Sequence, residues 1–150
     1  MTTSVLDNMK RTTQETIDGY RKFEINAIMA PRADDCVYEA LPKSMGAPAL
    51  NNESYREFFS TQVIPLFEDF MVIVDSLIYD AEARKSVLYG RSTAISPVGP
   101  YDMELCLIMS FNETGEKVVA MREMFDSTTY ISFMAKVKQY AEAQGGEAQH

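Results

Sequence analysis

Carboxylates set among apolar neighbours are the residues of this chain whose chemistry its surroundings would change most. In the strand-like run 117–126, alternate residues Val119, Met121, Glu123 and Phe125 share one face, and Val118, Ala120, Arg122, Met124 and Asp126 share the other. Glu123 therefore stands on a face that should turn inward. A carboxylate there is either paired, with Arg91 or Arg122 as partner, or desolvated so that its pKa rises. A carboxyl poised near neutral pH is what a general acid or base requires. Asp126 ends the same run directly before a helical stretch, where it reads as a second acid–base group or as an N-cap. Glu104 shares a face with Cys106 and Ile108 and is expected to point inward. Arg91 interrupts Val87, Tyr89, Thr93 and Ile95, in a position to hold a carboxylate or a substrate oxygen. Asp35 and Tyr38 flank Cys36 on a short strand, Asp35 reading otherwise as a turn residue and Tyr38 as a core aromatic.

Other chemistries are excluded by what the chain lacks. Its one histidine is the terminal His150, which rules out Ser/His/Asp and Cys/His triads and argues against a His-ligated metal. Neither standard glycine-rich phosphate loop is present. The two cysteines, Cys36 and Cys106, lack Cys-x-x-Cys spacing, so buried free thiols in a reducing compartment are expected rather than zinc. An enzyme of this sequence would work through carboxylates, tyrosines and arginine, with no metal and no cofactor.

The elements that must position these groups follow from patterning. A chain of 150 residues that is 46% apolar suits one domain. A net charge of −8 without a basic cluster disfavours nucleic acid or an anionic membrane as partner. The polar first ten residues lack the apolar core of a signal peptide, and no apolar run approaches the ~20 residues of a membrane span, so a cytoplasmic protein is expected. Thr12 and Glu15 form a candidate capping box, or the first helix begins nearer Thr3. The helix carries Ile17 and Tyr20, and Gly19 suggests a division from a second short helix around 24–29, closed by Pro31. A short strand at 35–39 ends by Pro42. Asn51 and Asn52 cap a third helix bearing Tyr55, Phe58 and Phe59, which ends near Pro65. Long strands are expected at 69–80, 85–96, 101–112 and 117–126, separated by explicit turns. A last helix, 127–142, carries Tyr130, Phe133, Met134 and Val137 on one face. The domain then spans 1–144, with 145–150 a flexible tail. Helices segregated to one face of a curved antiparallel sheet make an α+β cone.

Four segments in this order, Arg32-Ala-Asp-Asp-Cys36 running into Leu41-Pro-Lys-Ser44, Asn52-Glu-Ser-Tyr55, Pro97-Val-Gly-Pro-Tyr101, and Glu123-Met-Phe-Asp-Ser127 ahead of Phe133, carry a resemblance. The chain resembles the fungal SnoaL-like proteins of the NTF2-like superfamily, among them small isomerases and cyclases of meroterpenoid and polyketide pathways. The resemblance implies a conical pocket between sheet and helices, a homodimer formed through the sheets, and cofactor-free acid–base chemistry on a polycyclic intermediate: enolisation, double-bond migration, aldol closure or lactone rearrangement. By position Glu123 and Asp126 match the family's acidic pair at the end of the last strand, and Glu104 the acidic residue after the Gly-Pro-Tyr turn. The expected catalytic set is Glu123, Asp126, Asp35 and Tyr38; the expected substrate-binding set is Glu104, Arg91, Tyr101, Met103, Tyr20 and Phe67. Tyr38 stands where many relatives have His, and Met103 where many have Asn, so either the substrate or the proton-relay partner is expected to differ from the common one. The absence of an internal histidine argues against a scytalone-dehydratase-like site. The alternative is a non-catalytic ligand-binding or dimerisation module of the same fold, and a carboxylate-activated water opening a lactone is a third reading.

Overall fold

The hydroxyl of Ser4 accepts from the Asp7 amide and so starts α1 (Val5–Lys22). In the computed structural model, which describes residues 3–148, Thr12 does not cap a helix. It is buried in mid-helix and its hydroxyl donates to the Gly115 carbonyl. Gly19 does not divide α1 either. The turn falls at Phe23, whose φ of 55° is left-handed, and Gly19 serves the approach of α2 (Ile25–Met29) instead. A Cβ at Gly19 would sit 2.6 Å from the Ala27 carbonyl oxygen. The side chain of Glu24 caps α2 by accepting from the Asn26 and Ala27 amides.

Five strands follow the expected order. β1 (Arg32–Leu41) begins directly after Pro31, three residues before the expected start at Asp35. Next come α3 (Asn52–Phe58), capped by the Asn51 side chain on the Ser54 amide, and a wide π-helical turn over Phe59–Val63. β2 (Glu68–Asp80), β3 (Lys85–Ser96), β4 (Gly99–Phe111) and β5 (Val118–Phe125) form the long meander, and α4 (Ser127–Ala148) closes the chain. α4 continues past residue 142 through the first part of the expected tail, and His150 lies outside the described residues. None of the described helices is long and apolar enough to cross a membrane.

The sheet order is β1-β5-β4-β3-β2. β2 to β5 pair antiparallel as expected, but β1 pairs parallel with β5, so the sheet is mixed. The chain leaves β1 through α3, reaches the far edge at β2, and returns hairpin by hairpin until β5 runs beside β1 in the same direction. The inner face of β4 is Met103, Leu105, Leu107, Met109 and Phe111, all buried. The expected phase, with Glu104 and Cys106 inward, is off by one residue. Both phases of β4 are apolar, so alternation alone did not decide between them. Helix residues Met9, Ile17, Ile28, Tyr55 and Phe59 close the core over this face.

The sheet bends where β2 and β3 lose register between Val74 and Ser76, opposite Gly90 and Tyr89. Gly90 is required there, because any Cβ would be driven into the Ile73 carbonyl oxygen. Gly90→Ala is expected to cost about 1–3 kcal/mol, measured as a lower urea midpoint at unchanged m-value.

Candidate active site

The bend leaves a cavity of about 610 Å³ between the inner sheet face, α1, the α3 region and α4. Its size suits a small organic ligand of several rings. Phe67, Tyr101 and Phe133 cluster on one wall, with ring centroids 4.6, 5.0 and 5.8 Å apart. They bring a loop, β4 and α4 together. Among the described residues that line the cavity, Glu123 is the sole charged one.

The parallel β1–β5 pairing sets Ala40 beside Glu123 and Tyr38 beside Met121. Tyr38 thereby reaches Glu123, and its hydroxyl donates to Oε1 at 2.7 Å. Neither expected arginine is a partner of Glu123. Arg91 pairs with Asp102 at 3.7 Å and Arg122 with Glu39 at 4.0 Å, both on the exposed outer face. Burial among apolar walls pushes the Glu123 carboxyl above the usual carboxylate range, while the Tyr38 hydrogen bond and the charge of Arg32 oppose the shift. One side of Glu123 faces the cavity, so the residue is half-buried by surface. Burial and the nearby Glu123 charge push the Tyr38 hydroxyl well above its usual range, so it stays protonated and remains a donor.

A second polar group adjoins the first; Tyr20 is among the expected substrate-binding residues, whereas Tyr55 and Arg32 are not. The hydroxyls of Tyr20 and Tyr55 lie 2.5 Å apart, and both residues line the cavity. Behind them Arg32, only 6% exposed, donates from Nη2 to the Tyr20 oxygen at 3.1 Å. Its guanidinium also lies over the Tyr55 ring, 3.8 Å from the centroid. Simple alternation back from Tyr38 and Cys36 does not point to Arg32, because β1 loses register between Arg32 and Val37 and the in-phase Asp34 is exposed.

The expected site residues divide clearly. Glu123, Tyr38, Tyr20, Tyr101 and Phe67 all line the cavity. Met103 is fully buried on the inner face but lies beneath the cavity lining. Four others are carried elsewhere. Glu104 is exposed on the outer face, where the Tyr89 hydroxyl donates to it. Arg91 occupies the same face. Asp35 is exposed on β1, because strand alternation turns it away from the side holding Cys36 and Tyr38. Asp126 is exposed and caps α4: its carboxylate accepts from the Thr129 hydroxyl at 2.8 Å and the Thr129 amide at 3.3 Å. Those bonds hold the Asp126 carboxyl below its usual range. Among the described residues, no group of three or more His, Cys, Asp and Glu is arranged to hold a metal ion.

No protein-family profile matches the chain. Individual relatives do. Monooxygenase AacuP of Aspergillus aculeatus is 31% identical over 133 residues, which covers 89% of this chain and 91% of AacuP. The crystal structure of BvnE pinacolase from Penicillium brevicompactum superposes with a TM-score of 0.86 at 25% identity, covering 90% of this chain and 94% of that one. An NTF2-like protein of Burkholderia pseudomallei shares the fold at a TM-score of 0.70 and 15% identity, over 83% of this chain and 95% of that one. A monooxygenase and a pinacolase differ in reaction, and what their names share is enzymatic function. With this cone, this cavity and these relatives, the chain belongs to the fungal SnoaL-like family of the NTF2-like superfamily, alongside AacuP.

Proposed function

We propose that this chain is an isomerase or cyclase of fungal secondary metabolism that transfers protons on a polycyclic polyketide or meroterpenoid intermediate without a cofactor. The observation that carries the reading is the lone carboxylate, Glu123, held by Tyr38 in an otherwise uncharged cavity. The Glu123 carboxylate removes a proton from a carbon α to a carbonyl, leaving an enolate. The protonated Glu123 then returns the proton at another carbon, or the enolate carbon closes on a second carbonyl. Tyr38 fixes Oε1 and leaves Oε2 for the substrate. A positioned base of this kind contributes about 10²–10⁴-fold. The aromatic wall of Phe67, Tyr101 and Phe133 stacks on flat rings and presents their edge to Glu123.

The name that AacuP carries favours a second use of the same base. The enolate carbon formed at a CH₂ combines with O₂ to give a hydroperoxide, which loses water to leave a ketone. One oxygen atom enters the product, the other leaves as water, and the substrate C–H bonds supply the electrons. An isomeric product identifies the first reaction; ¹⁸O₂ incorporation identifies the second.

The outer sheet face exposes Met71, Tyr89, Ile95 and Met124, and we propose that two copies pair through it. Sedimentation at twice the 16.9 kDa chain mass is the expected result.

The decisive test incubates the protein in D₂O with polycyclic intermediates and follows deuterium by NMR and mass spectrometry. Glu123→Gln is expected to lose at least about 10²-fold in exchange, whereas Asp126→Asn, altered only at the helix cap, retains it. Full turnover by folded Glu123→Gln would sink the assignment. The base must be ionised, so kcat/KM is expected to rise with pH through a limb above the ordinary carboxylate range. Tyr38→Phe removes a bond that favours the ionised form and shifts that limb to higher pH.

The same carboxyl links pH to stability. Its folded-state pKa lies above the unfolded value, so the stability it contributes is complete below the unfolded pKa and is lost as pH rises through the folded one. Glu123→Gln is therefore expected to melt above the parent at neutral pH and level with it near pH 4. The gap is about 1.4 kcal/mol for each tenfold change in proton affinity.

A further inference from the structure

The Tyr20–Tyr55 pair holds two hydroxyl protons and shares one hydrogen bond. One O–H of the pair therefore has no protein acceptor among the described residues. Arg32 decides which one it is. Its Nη2 donates to the Tyr20 oxygen, which makes Tyr20 the better donor within the pair and leaves the Tyr55 proton unused. Arg32 is itself incompletely matched. It is 6% exposed, and its Nε and Nη1 have no hydrogen-bond partner. A buried cation that meets one tyrosine oxygen and the ring face of a second tyrosine, with no carboxylate in ion-pair contact among the described residues, carries a desolvation penalty that is only partly offset. The arrangement would be best satisfied by negative charge on an oxygen placed against the pair.

We propose that the Tyr20–Tyr55 hydroxyl pair, backed by Arg32, is an oxyanion site that receives the carbonyl oxygen of an enolisable or phenolic substrate as its charge develops. The inference rests on the proton-transfer reading of the cavity and completes it. Glu123 takes the proton from carbon, and Tyr55 donates to the oxygen on which the electron pair settles. Burial pushes both tyrosine hydroxyls above their usual range, so both remain donors at neutral pH. Preorganised donors of this kind need no rearrangement when charge appears. Tyr55 is the oxyanion donor, and Tyr20 and Arg32 are positioning residues that act through it.

The test reads binding alone, in the Glu123→Gln background, so a failure of the base assignment leaves the result unaffected and the reverse also holds. 2-Naphthol and its more acidic 6-cyano derivative are titrated into the protein, and the naphtholate absorbance band is followed against pH. The expected result is a bound naphthol that ionises at lower pH than the free compound. Tyr55→Phe, which keeps the ring under the guanidinium, is expected to raise the proton affinity of the bound naphtholate about tenfold or more. Tyr20→Phe, which breaks the hydrogen-bond chain from Arg32 to Tyr55 and leaves the guanidinium on the Tyr55 ring, is expected to shift it in the same direction. Naphthols that fail to bind, or that ionise at the same pH in the Tyr55→Phe protein, would overturn the proposal. A purely structural role for the pair predicts a lower melting temperature without that shift.

Discussion

Two strands that are far apart in sequence and run in the same direction set the terms for the rest of this molecule. Parallel pairing of β1 with β5 is the constraint that puts a tyrosine hydroxyl on a carboxylate inside an apolar chamber. Slipping β5 by one residue would turn Glu123 out to solvent and Arg122 in. The sheet, the Gly90 bend and the helices above it hold that register while leaving space in front of it. The Tyr38–Glu123 bond cannot be read as a stabilising contact in isolation. It lessens the cost of a burial that the fold would avoid if packing alone mattered.

The cavity is bounded by two kinds of material. Beneath it the core is fully closed, with Met9, Met103, Met109 and Met121 all at or near zero exposure. These four methionines are therefore foundation, and Met134 is the methionine that lines the cavity among the described residues. Above it the walls are aromatic rings from a loop, a strand and two helices. A rigid floor with a stacked aromatic wall suits a flat ligand, and the proposed chemistry needs its edge held against Glu123 within a fraction of an ångström.

Much of this was legible in the residues. β3 runs from Lys85 to Ser96 as its alternation and flanking turns imply, and the Asn51 cap and the inward Glu123 follow from local chemistry. Most of the misses share a physical cause, dependence on a neighbour distant in the chain, and only Asp126 is decided locally. Leu105 to Met109 is apolar in both phases, so only contact with the helices decides that Glu104 faces out. Thr12 looks like a cap until Gly115 arrives to accept its proton. Asp126 carries a helix-cap signal and a family signal at once, and the backbone at Thr129 resolves it toward the cap. Nothing in the spacing of residues 32–41 announces a parallel partner more than eighty residues away. Arg32 shows the same dependence: its meaning lies in two tyrosines on different helices.

The weak seating of α4 has its own consequence. Over its first four turns only Phe133 is buried, while Ile131, Met134 and Tyr140 remain exposed, yet its inner side forms part of the chamber wall. The helix is tied at one end by Asp126 and the Phe125–Tyr130 stack. Its amides thus belong to the low-stability end of the molecule, able to open without disturbing the sheet ladder. For the proposed polycyclic substrate, entry and exit then cost the peeling of one helix about its capped end, and the pace of release becomes a property of that hinge, independent of the chemistry proposed beneath it.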